Sequence, residues 1–334
     1  MEIEIGQVLS GLAAWAFAFV EPIFNETVRY LRLPKNICDR AVRPGRLQAV
    51  VVIVKSGIYN FHNRQHLREA YRGQVNNKNS EINMVFSVGL PRKAGGRVFS
   101  RDGFVVNLPE RAGNALDYYQ TRPLEVLTRL KQEAELNHDL VIGDYEDTYY
   151  NLTLKMLHSF QWASRLCTPL KPTFVFMDDD FAFKVDKLRQ IITHRSESTR
   201  GRMAIGVLRR VSDTIRHGKA TVYEKWSVSK REVPWPHHAP HTSGAFYILG
   251  YEIVEELAAG MYFTAPLSLD DVWLGTIATK LGISYEEEPG MYQSFNPQLH
   301  HRQKALFLPF EVLFRNPLRW VWWIFEPVSK DTEV

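Results

Sequence analysis

Three aspartates, Asp178, Asp179 and Asp180, stand in a row directly after the apolar residues 173–177. Neighbouring carboxylates repel one another, so a row of three predicts a cation between them. Oxygen ligands of this kind suit Mg²⁺ or Mn²⁺, which bridge carboxylates to phosphates. A solvated acidic turn or helix cap is the alternative, and the position after a buried strand favours the metal site.

A second acidic pair, Asp270 and Asp271, stands before the apolar residues 272–274. A carboxylate in such a position can serve as a general base that removes a proton from a hydroxyl group. Asp also favours the beginning of a helix, where it stabilises the helix by roughly 1 kcal/mol. The spacing does not rank these two roles, so both remain open at this point.

The elements that must position these acids alternate between buried strands and amphipathic helices. Apolar runs predict strands over residues 47–54, 84–88, 139–142 and 173–177, and periodic patterns predict helices over 62–71, 123–136, 148–166, 251–259 and 271–281. Such alternation predicts an α/β fold with a parallel, doubly wound sheet, whose ligands bind beyond the carboxyl ends of the strands. The triple aspartate follows one of these ends. The Gly- and Arg-rich residues 91–114 are predicted to form a loop.

Bulk composition excludes several classes of protein. The 334 residues include 23% charged and 45% hydrophobic side chains, which is typical of a folded chain with a large core and not of a disordered one. The formal charge of +4 is small and the basic residues are scattered, so no nucleic-acid partner is expected. The absence of a P-loop sequence argues against a phosphotransferase of that type.

The N-terminal region contains an uncharged apolar run of 13 residues at 8–20. A membrane-spanning helix needs about 20 such residues, so the run fits either a short signal-anchor or a buried helix. Two glycosylation sequons, at Asn25 and Asn151, favour the secretory route. The two cysteines, Cys38 and Cys167, can form one bridge in an oxidising lumen or remain buried thiols.

Several sequence blocks, in order, resemble the β1,3-glycosyltransferase family, the galactosyl- and N-acetylglucosaminyltransferases of the secretory pathway, and most of all its Brainiac-like members. They lie at residues 54–71, 144–155 (DYEDTYYNLTLK), 178–180, 225–229, 242–249 and 270–283. Any single block is a weak signal, apart from the long and specific one at 144–155. Their common order is not a coincidence, and the resemblance spans residues 47–290.

This resemblance implies a GT-A fold, in which a Rossmann-like nucleotide-binding half is fused to an acceptor-binding half. It also implies a UDP-sugar donor, Mn²⁺ as cofactor, inversion at the anomeric carbon and a glycan acceptor on lipid or protein. The expected enzyme is a β1,3-N-acetylglucosaminyltransferase; the alternatives are a β1,3-galactosyltransferase of the same family and a non-catalytic carbohydrate-binding relative. The expected location is the Golgi membrane, as a single-pass type II protein with a lumenal catalytic domain.

The roles of individual residues follow from the same resemblance. Asp180 resembles the direct metal ligand, while Asp178 and Asp179 resemble the neighbours that hold the metal and the ribose. Asp271 matches the second acid of the family's Glu-Asp-Val block, which makes it the expected base, kept ionised by the dipole at a helix start. The remaining implied roles are donor binding by Arg64 and Arg68, acceptor binding by Trp226, Trp235 and Asp270, and metal binding by His300 or His301.

Two departures from the family pattern lead to expectations of their own. Asp270 replaces the usual Glu, which is a change within the acidic type, and Thr242 replaces the usual Cys, so a family disulfide is expected to be absent. The expected domains are an N-terminal region with the short anchor at 1–45, a catalytic domain at 46–300, and a tail of unknown role at 301–334.

Overall fold

The computed structural model describes residues 2–3, 21–38, 49–76, 80–218, 223–291 and 305–310, so the apolar run at 8–20 lies outside the described residues. The strands are β1 (Glu2–Ile3), β2 (Val28–Arg32), β3 (Val50–Lys55), β4 (Ile82–Leu90), β5 (Val98–Arg101), β6 (Phe104–Asn107), β7 (Leu140–Glu146), β8 (Thr173–Asp178), β9 (Phe181–Phe183), β10 (Ala204–Arg209), β11 (His241–Leu249), β12 (Glu286–Glu287) and β13 (Phe307–Pro309). The helices are α1 (Phe61–Ala70), α2 (Glu110–Tyr119), α3 (Pro123–Asn137), α4 (Leu152–Leu166), α5 (Val185–Thr193), α6 (Glu197–Arg200), α7 (Tyr251–Gly260) and α8 (Asp270–Lys280), with 3₁₀ turns at Tyr149–Asn151, Glu224–Trp226 and Met261–Phe263. Within the described ranges, no helix combines the length and the apolar character needed to cross a membrane.

Parallel strands form the centre of the sheet, in the order β7-β4-β3-β8. They arise from apolar, β-branched runs, and β3 is buried at every position. Alternate residues of β3 face opposite sides of the sheet: Val52 belongs to the same hydrophobic cluster as α1, α3 and α5, and Ile53 belongs to that of α4, α7 and α8. The predicted α/β class is therefore confirmed, with helices on both faces of the sheet.

Antiparallel strands flank the parallel centre on both sides, which corrects the prediction of a fully parallel sheet, and the last strand, β12, again runs parallel to its neighbour β10. The order of the nine strands is β1-β2-β7-β4-β3-β8-β11-β10-β12, and β11 runs antiparallel to both β8 and β10. On the other side, β2 runs antiparallel to β7. A parallel neighbour requires a crossover, usually through a helix, and the described part of the chain between β10 and β11 contains no α-helix. The chain returns beside β10 without a crossover, so this part of the sheet is antiparallel.

Residues 91–114, predicted to be a loop, instead form a β-hairpin and the beginning of a helix. β5 and β6 pair antiparallel, with Arg101 opposite Phe104 across Asp102 and Gly103. Both turn residues have positive φ, 39° and 90°, as a two-residue Asp-Gly hairpin turn requires. The Gly and Arg content suggests a loop, but the Asp-Gly pair between apolar residues is the local signal for the hairpin.

The packed structure continues across both predicted domain boundaries. β2, inside the predicted N-terminal region at 1–45, pairs with β7, and a Cys38–Cys167 disulfide joins that region to the end of α4. Residues 305–310, inside the predicted tail at 301–334, are buried, and β13 pairs with β9. Neither segment is long enough to bury a core of its own, so each one completes the sheet or the core of the rest.

Candidate active site

The carboxyl ends of β3 and β8 meet the start of α8 at one edge of the sheet. β3 and β8 pair in register, so that Lys55 at the end of β3 lies beside Asp178 at the end of β8. Gly244 of β11 and Asp271 of α8 close the same edge, with the Gly244 amide donating to Asp271 Oδ2 at 3.3 Å. The structure thus brings the triple aspartate and the second acidic pair, which are far apart in the sequence, to one place.

Asp179 is buried and accepts hydrogen bonds from three polar side chains. Ser56 Oγ donates to its carboxylate at 2.5 Å, Asn60 Nδ2 at 2.9 Å and Asn63 Nδ2 at 3.0 Å. Hydrogen bonds of this kind offset the cost of removing a carboxylate from water. Asp179 therefore holds the turn between β3 and α1 in place, and its contact with a donor stays a prediction.

A buried lysine links the two acidic groups. Lys55 Nζ lies 3.0 Å from Asp178 Oδ1 and 3.3 Å from Asp270 Oδ2. Burial by itself lowers the pKa of a lysine, but the two carboxylates outweigh it and hold the pKa of Lys55 well above its ordinary value. Burial and the nearby Asp270 raise the pKa of Asp178, although Lys55 opposes this rise. Because Lys55 remains charged, it couples the acid at the end of β8 to the acid at the start of α8.

Asp271 lies half-buried in the first turn of α8. Its carboxylate accepts a hydrogen bond of 2.9 Å from the Val272 amide and the longer one from Gly244. Burial and the adjacent Asp270 raise the pKa of Asp271, although nearby His241 opposes the rise. The expectation that the helix dipole holds this pKa down is therefore wrong, because burial beside a second carboxylate outweighs the dipole. A raised pKa makes the ionised carboxylate a stronger base.

Two glycines allow α8 to lie directly on β11. A Cβ atom at Gly244 would stand 3.3 Å from the Asp271 Cβ and 3.5 Å from Lys55 Nζ. Gly275 lies on α8, one turn after Asp271. A Cβ atom at Gly275 would stand 2.3 Å from the His241 Cβ, far inside van der Waals contact. A larger residue at Gly275 would therefore push α8, and with it Asp271, away from the strand ends.

Aromatic side chains form a wall beside Asp271. The Trp226 indole Nε1 donates to the Tyr149 hydroxyl at 2.5 Å, and Trp226 packs against Leu269 and Val272 at the start of α8. Burial and the nearby acidic pair raise the pKa of Tyr149, although the hydrogen bond from Trp226 opposes the rise. An amphipathic wall of this kind, with an apolar face and a polar edge, can bind a sugar ring.

Trp235, the other tryptophan predicted to bind the acceptor, lies on the surface and is 68% exposed. Its carbonyl oxygen accepts hydrogen bonds from Thr214 Oγ1 at 3.0 Å and from Arg216 Nη2 at 2.9 Å, which fixes the backbone but leaves the ring in solvent. The structure thus brings Trp226 to the acidic pair and leaves Trp235 outside. An acceptor contact by Trp235 stays a prediction.

Arg64 and Arg68, the predicted donor-site arginines, lie behind the site in a buried charge network. Arg64 is fully buried; its Nε and Nη2 donate to Glu133 at 2.8 and 2.7 Å, and its Nη1 donates to Ser56 Oγ at 3.0 Å. Arg68 donates to both oxygens of Asp139 at 2.7 and 2.8 Å and also pairs with Glu133. Burial alone would raise the pKa of Glu133, but the two arginines lower it. Both arginines are thus neutralised within the protein, and their contact with a donor stays a prediction.

The sequence block at 144–155 supports the same turn between β3 and α1. Lys155 and Asp147 form a buried ion pair of 2.9 Å, and Lys155 Nζ also donates to the Ser56 carbonyl oxygen. Asp147 Oδ2 accepts a hydrogen bond from the Gly89 amide at 2.9 Å. A buried ion pair is sustained only when further hydrogen bonds satisfy both charges, and Ser56 and Gly89 provide them. The block therefore ties α4 to the ends of β3 and β4.

Residues 305–310 hold the main chain of Asp180. Its carbonyl oxygen accepts a hydrogen bond of 2.7 Å from the Phe310 amide. Among the described residues, no three His, Cys, Asp or Glu side chains are assembled as a metal cluster. The donor set of Asp178 and Asp180 nevertheless fits Mn²⁺ or Mg²⁺, because both are half-buried carboxylates at a strand end. His300 and His301, the predicted histidine ligands, lie outside the described residues.

The two glycosylation sequons differ in the folded structure. Asn25 is exposed, whereas Asn151 is half-buried and its Nδ2 donates to the Glu146 carbonyl oxygen at 2.8 Å. The hydroxyl of Thr153, which completes the second sequon, donates to the Leu267 carbonyl oxygen. The fold thus presents Asn25 to solvent more fully than Asn151, whose amide is also engaged by the Glu146 carbonyl oxygen.

Lys55, Tyr149 and Gly244 contribute to the site, although none was among the predicted site residues. A lysine at the end of a strand buried on both faces is a signal in itself, because a charge there is costly unless a partner meets it. Tyr149 depends on Trp226, which lies 77 positions away. No local pattern marks such a contact, so only the fold identifies it.

Comparison with known proteins places the chain among sugar transferases. A model of the family described as Galactosyltransferase matches residues 123–289. The β1,3-galactosyltransferase 5 of Gorilla gorilla gorilla is 24% identical over 265 residues, which cover 79% of this chain and 75% of that protein. The lactosylceramide 1,3-N-acetyl-β-D-glucosaminyltransferase of Homo sapiens is 25% identical over 239 residues, which cover 70% of this chain and 54% of that protein. The solved apo structure of the bifunctional glycosyltransferase WbbM covers 81% of this chain and 47% of its own at 11% identity, but its TM-score of 0.36 is too low to support an argument.

Proposed function

Because this chain belongs to the Galactosyltransferase family and is a β1,3-glycosyltransferase that transfers a hexose, we propose that it moves N-acetylglucosamine from a UDP donor to a glycan acceptor on lipid or protein. The transfer inverts the anomeric centre, with Asp271 as the base. One observation carries this proposal: Lys55 joins Asp178, at the end of β8, to Asp270, the neighbour of Asp271.

The donor half of the molecule (residues 49–200) supports binding of a nucleotide diphosphate. In sheets of this kind, ligands bind beyond the carboxyl ends of the parallel strands, where Asp178 and Asp180 would hold Mn²⁺. When bound, Mn²⁺ supplies positive charge that neutralises the diphosphate leaving group. Ser56 and Asn63, bonded to Asp179, keep the adjacent turn in one conformation. This edge of the sheet is thereby organised before the donor arrives, which is the condition for electrostatic stabilisation.

The acceptor half (residues 201–291) supports a single displacement with Asp271 as base. Inversion in one step needs a base opposite the leaving group and no nucleophile from the protein. Burial raises the pKa of Asp271, so its ionised carboxylate readily accepts the proton of a sugar hydroxyl. Lys55 offsets the charge of Asp270, which lies next to Asp271 in the sequence. This reduces the repulsion between the two aspartates and an anionic donor. The wall of Trp226 and Tyr149 would support the acceptor ring.

The proposed location is the Golgi membrane, with the catalytic domain in the lumen. The Cys38–Cys167 disulfide supports an oxidising compartment, because such bonds persist on the secretory route and are rare in the cytosol. The exposed sequon at Asn25 supports the same compartment. Expression in animal cells should therefore give a protein that loses mass on glycan removal, and Asn25→Gln should lose most of that shift. A cytosolic protein without a glycan would contradict this location.

A second candidate donor is UDP-galactose. The resemblance of the sequence blocks to Brainiac-like members favours N-acetylglucosamine, and the lactosylceramide relative carries that sugar in its name. The gorilla relative is named a β1,3-galactosyltransferase, which favours galactose. The described contacts at the strand ends involve carboxylates, amides and a lysine that would serve either UDP-sugar, so a direct assay must separate the two donors.

The decisive experiment offers the purified chain both UDP-sugars with terminal galactoside and terminal N-acetylglucosaminide acceptors, with Mn²⁺ or with a chelator. UDP release and the linkage of the product are measured. We expect transfer from UDP-N-acetylglucosamine in Mn²⁺ and a β linkage. A preference for UDP-galactose would replace the proposed donor by the second candidate. Binding of glycans without transfer from either donor, in a folded protein, would leave the non-catalytic alternative.

A further inference from the structure

The β5–β6 hairpin is rooted in the donor half. Phe99 of β5 packs with Leu108 and Leu116 in a small apolar cluster of that half. Arg97, at the base of the hairpin, pairs with Asp117 of α2 at 2.5 Å. These contacts join the hairpin to α2, so its tip projects from a supported base.

The tip of the hairpin crosses to the acceptor half through Arg101. Its Nη1 donates to the Ser227 carbonyl oxygen at 3.1 Å, and its Nη2 donates to Glu232 at 2.8 Å and to Ser268 Oγ at 2.6 Å. Only 11% of the Arg101 side chain is exposed, and its guanidinium lies 4.6 Å from the centre of the Tyr150 ring. A planar guanidinium can serve this spread of acceptors and the ring at once, whereas a lysine ammonium cannot.

The partners of Arg101 adjoin the two parts of the acceptor site. Ser227 follows Trp226 of the aromatic wall, and Ser268 precedes the acidic pair by two positions. Ser227 is fully buried, so its carbonyl oxygen depends on a protein donor. The Asp102 carboxylate, next in the hairpin turn, pairs with Arg231, five positions after Trp226. Arg101 and Asp102 thus both bind the segment that follows Trp226. Arg101 also binds Ser268, close to Asp271 in the sequence.

We propose that Arg101 is a positioning residue for sugar transfer, which aligns the Trp226 wall with Asp271 from outside the site. This inference rests on the proposed function, because the alignment matters only if an acceptor lies between wall and base. A displacement of about 1 Å at reacting atoms can cost about 100-fold in rate. Loss of the guanidinium releases Ser227 and Ser268 together, so the rate of transfer to the acceptor falls. Binding of the donor, at the ends of β3 and β8, is unchanged.

The test compares Arg101→Gln with Arg97→Gln in the full chain. Both changes remove an arginine from the same hairpin segment, but Arg97 contacts only residues of the donor half in the described structure. We expect Arg101→Gln to lower kcat/KM for the acceptor by about 10- to 100-fold. The KM for the UDP-sugar and its hydrolysis without acceptor should change less than about twofold, and Arg97→Gln should resemble the wild type.

Two further variants separate geometry from charge. Arg101→Lys keeps the charge but not the fork of donors, so it should lose most of the acceptor kcat/KM as well. Ser268→Ala removes one contact of Arg101 and should shift the same parameter in the same direction by a smaller factor. Normal acceptor kinetics in Arg101→Gln would overturn the proposal, as would an equal loss in donor hydrolysis or an equal defect in Arg97→Gln.

Amide hydrogen exchange tests the same contacts without relying on catalysis. In Arg101→Gln, exchange should accelerate over residues 223–232 and 267–273 and stay unchanged along β3 and β8. Unchanged exchange in the first two segments would overturn the proposal. If the wild type transfers neither sugar, the proposed function fails on that result, while the exchange pattern still decides whether Arg101 holds these segments.

Discussion

The acids at the end of β8 and those at the start of α8 are built into the molecule in different ways. Asp179 is buried among side-chain donors from Ser56 and α1, with contacts as short as 2.5 Å. Asp271 receives hydrogen bonds from backbone amides, one of them 3.3 Å long, and burial beside Asp270 raises its pKa. The carboxylate of Asp179 is occupied by donors that fix a turn, whereas a base must keep its affinity for a proton. The contrast supports the proposal that Asp271 is the base, while Asp179 supports the turn between β3 and α1.

The contacts that hold the donor half and the wall of the acceptor half also differ in kind. Behind β3, the donor half holds two buried ion pairs, Arg64 with Glu133 and Lys155 with Asp147. The segment of Trp226 is held by Arg101 at the tip of a hairpin, by Arg216 and by the hydrogen bond from Trp226 to Tyr149, without a buried ion pair of this kind among the described residues behind it. Buried charges are strongly destabilising once one partner is lost, so the donor half should tolerate change poorly as a fold. The acceptor half should instead show its damage in the kinetics.

The largest effect is expected from Asp180→Asn, which tests the proposed metal ligand on the donor side. A neutral amide replaces the carboxylate that would bind Mn²⁺, so Mn²⁺-dependent UDP release should fall below detection while the protein stays folded. Asp186→Asn is the control, because Asp186 is a half-buried acid of α5 that pairs with Arg189 and has no described contact with the proposed site. Full Mn²⁺-dependent activity in a folded Asp180→Asn protein would remove Asp180 from the proposed metal site.

Asp271→Asn should have the next largest effect and tests the reacting side of the comparison. A general base typically contributes about 10²–10⁴-fold, so kcat should fall by about that factor while UDP and Mn²⁺ binding persist. The matched control is Asp213→Asn, which changes an exposed acid of the same half. The wild-type product should carry a β linkage from an α-linked donor. Normal turnover by the variant, or an α-linked product from the wild type, would rule out this mechanism.

Arg64→Gln should act on stability and tests the support behind the donor half. Removal of one partner leaves Glu133 buried without its main cation, at a cost of about 3–5 kcal/mol in the free energy of unfolding. Arg129→Gln removes an exposed pair with Glu125, a hydrogen bond of 3.3 Å to the Tyr119 hydroxyl and a contact with the Phe61 ring, and should cost less than about 2 kcal/mol. Urea unfolding of both variants measures the difference. Equal and small losses would show that the network does not support the donor half.

The smallest effect is expected in the pH dependence and concerns Asp270. Asp271 must be ionised to accept a proton, so the rate falls as the pH drops through its pKa. Because burial and Asp270 raise that pKa, the fall should begin above the ordinary range of an aspartate, near pH 4. Asp270→Asn removes one cause of the rise and should move the acid limb of kcat/KM to lower pH. A limb that stays in place or moves up would contradict the coupling.

Much of the donor region could be predicted from the sequence, because its signals are local. A β-branched run such as residues 50–54 has to be buried on both faces, and acids after such a run have to lie at the edge of the sheet. The Asp-Gly turn of the hairpin was equally local, although the Gly and Arg content around it suggested a loop. The pKa of Asp271 could not be predicted in this way, since it depends on burial and not on helix position alone.

The sequence by itself determined the α/β class, the edge at which Asp178–Asp180 lie, and, through blocks in order, the family. Those properties follow from apolar periodicity and from residue types that are visible in short windows. Tertiary structure alone decided that Lys55 joins Asp178 to Asp270, that Arg64 faces Glu133, and that Arg101 reaches the acceptor half. The reason is physical: the energy of a buried charge depends on which partner the packed chain brings within about 3 Å, and sequence spacing does not contain that distance.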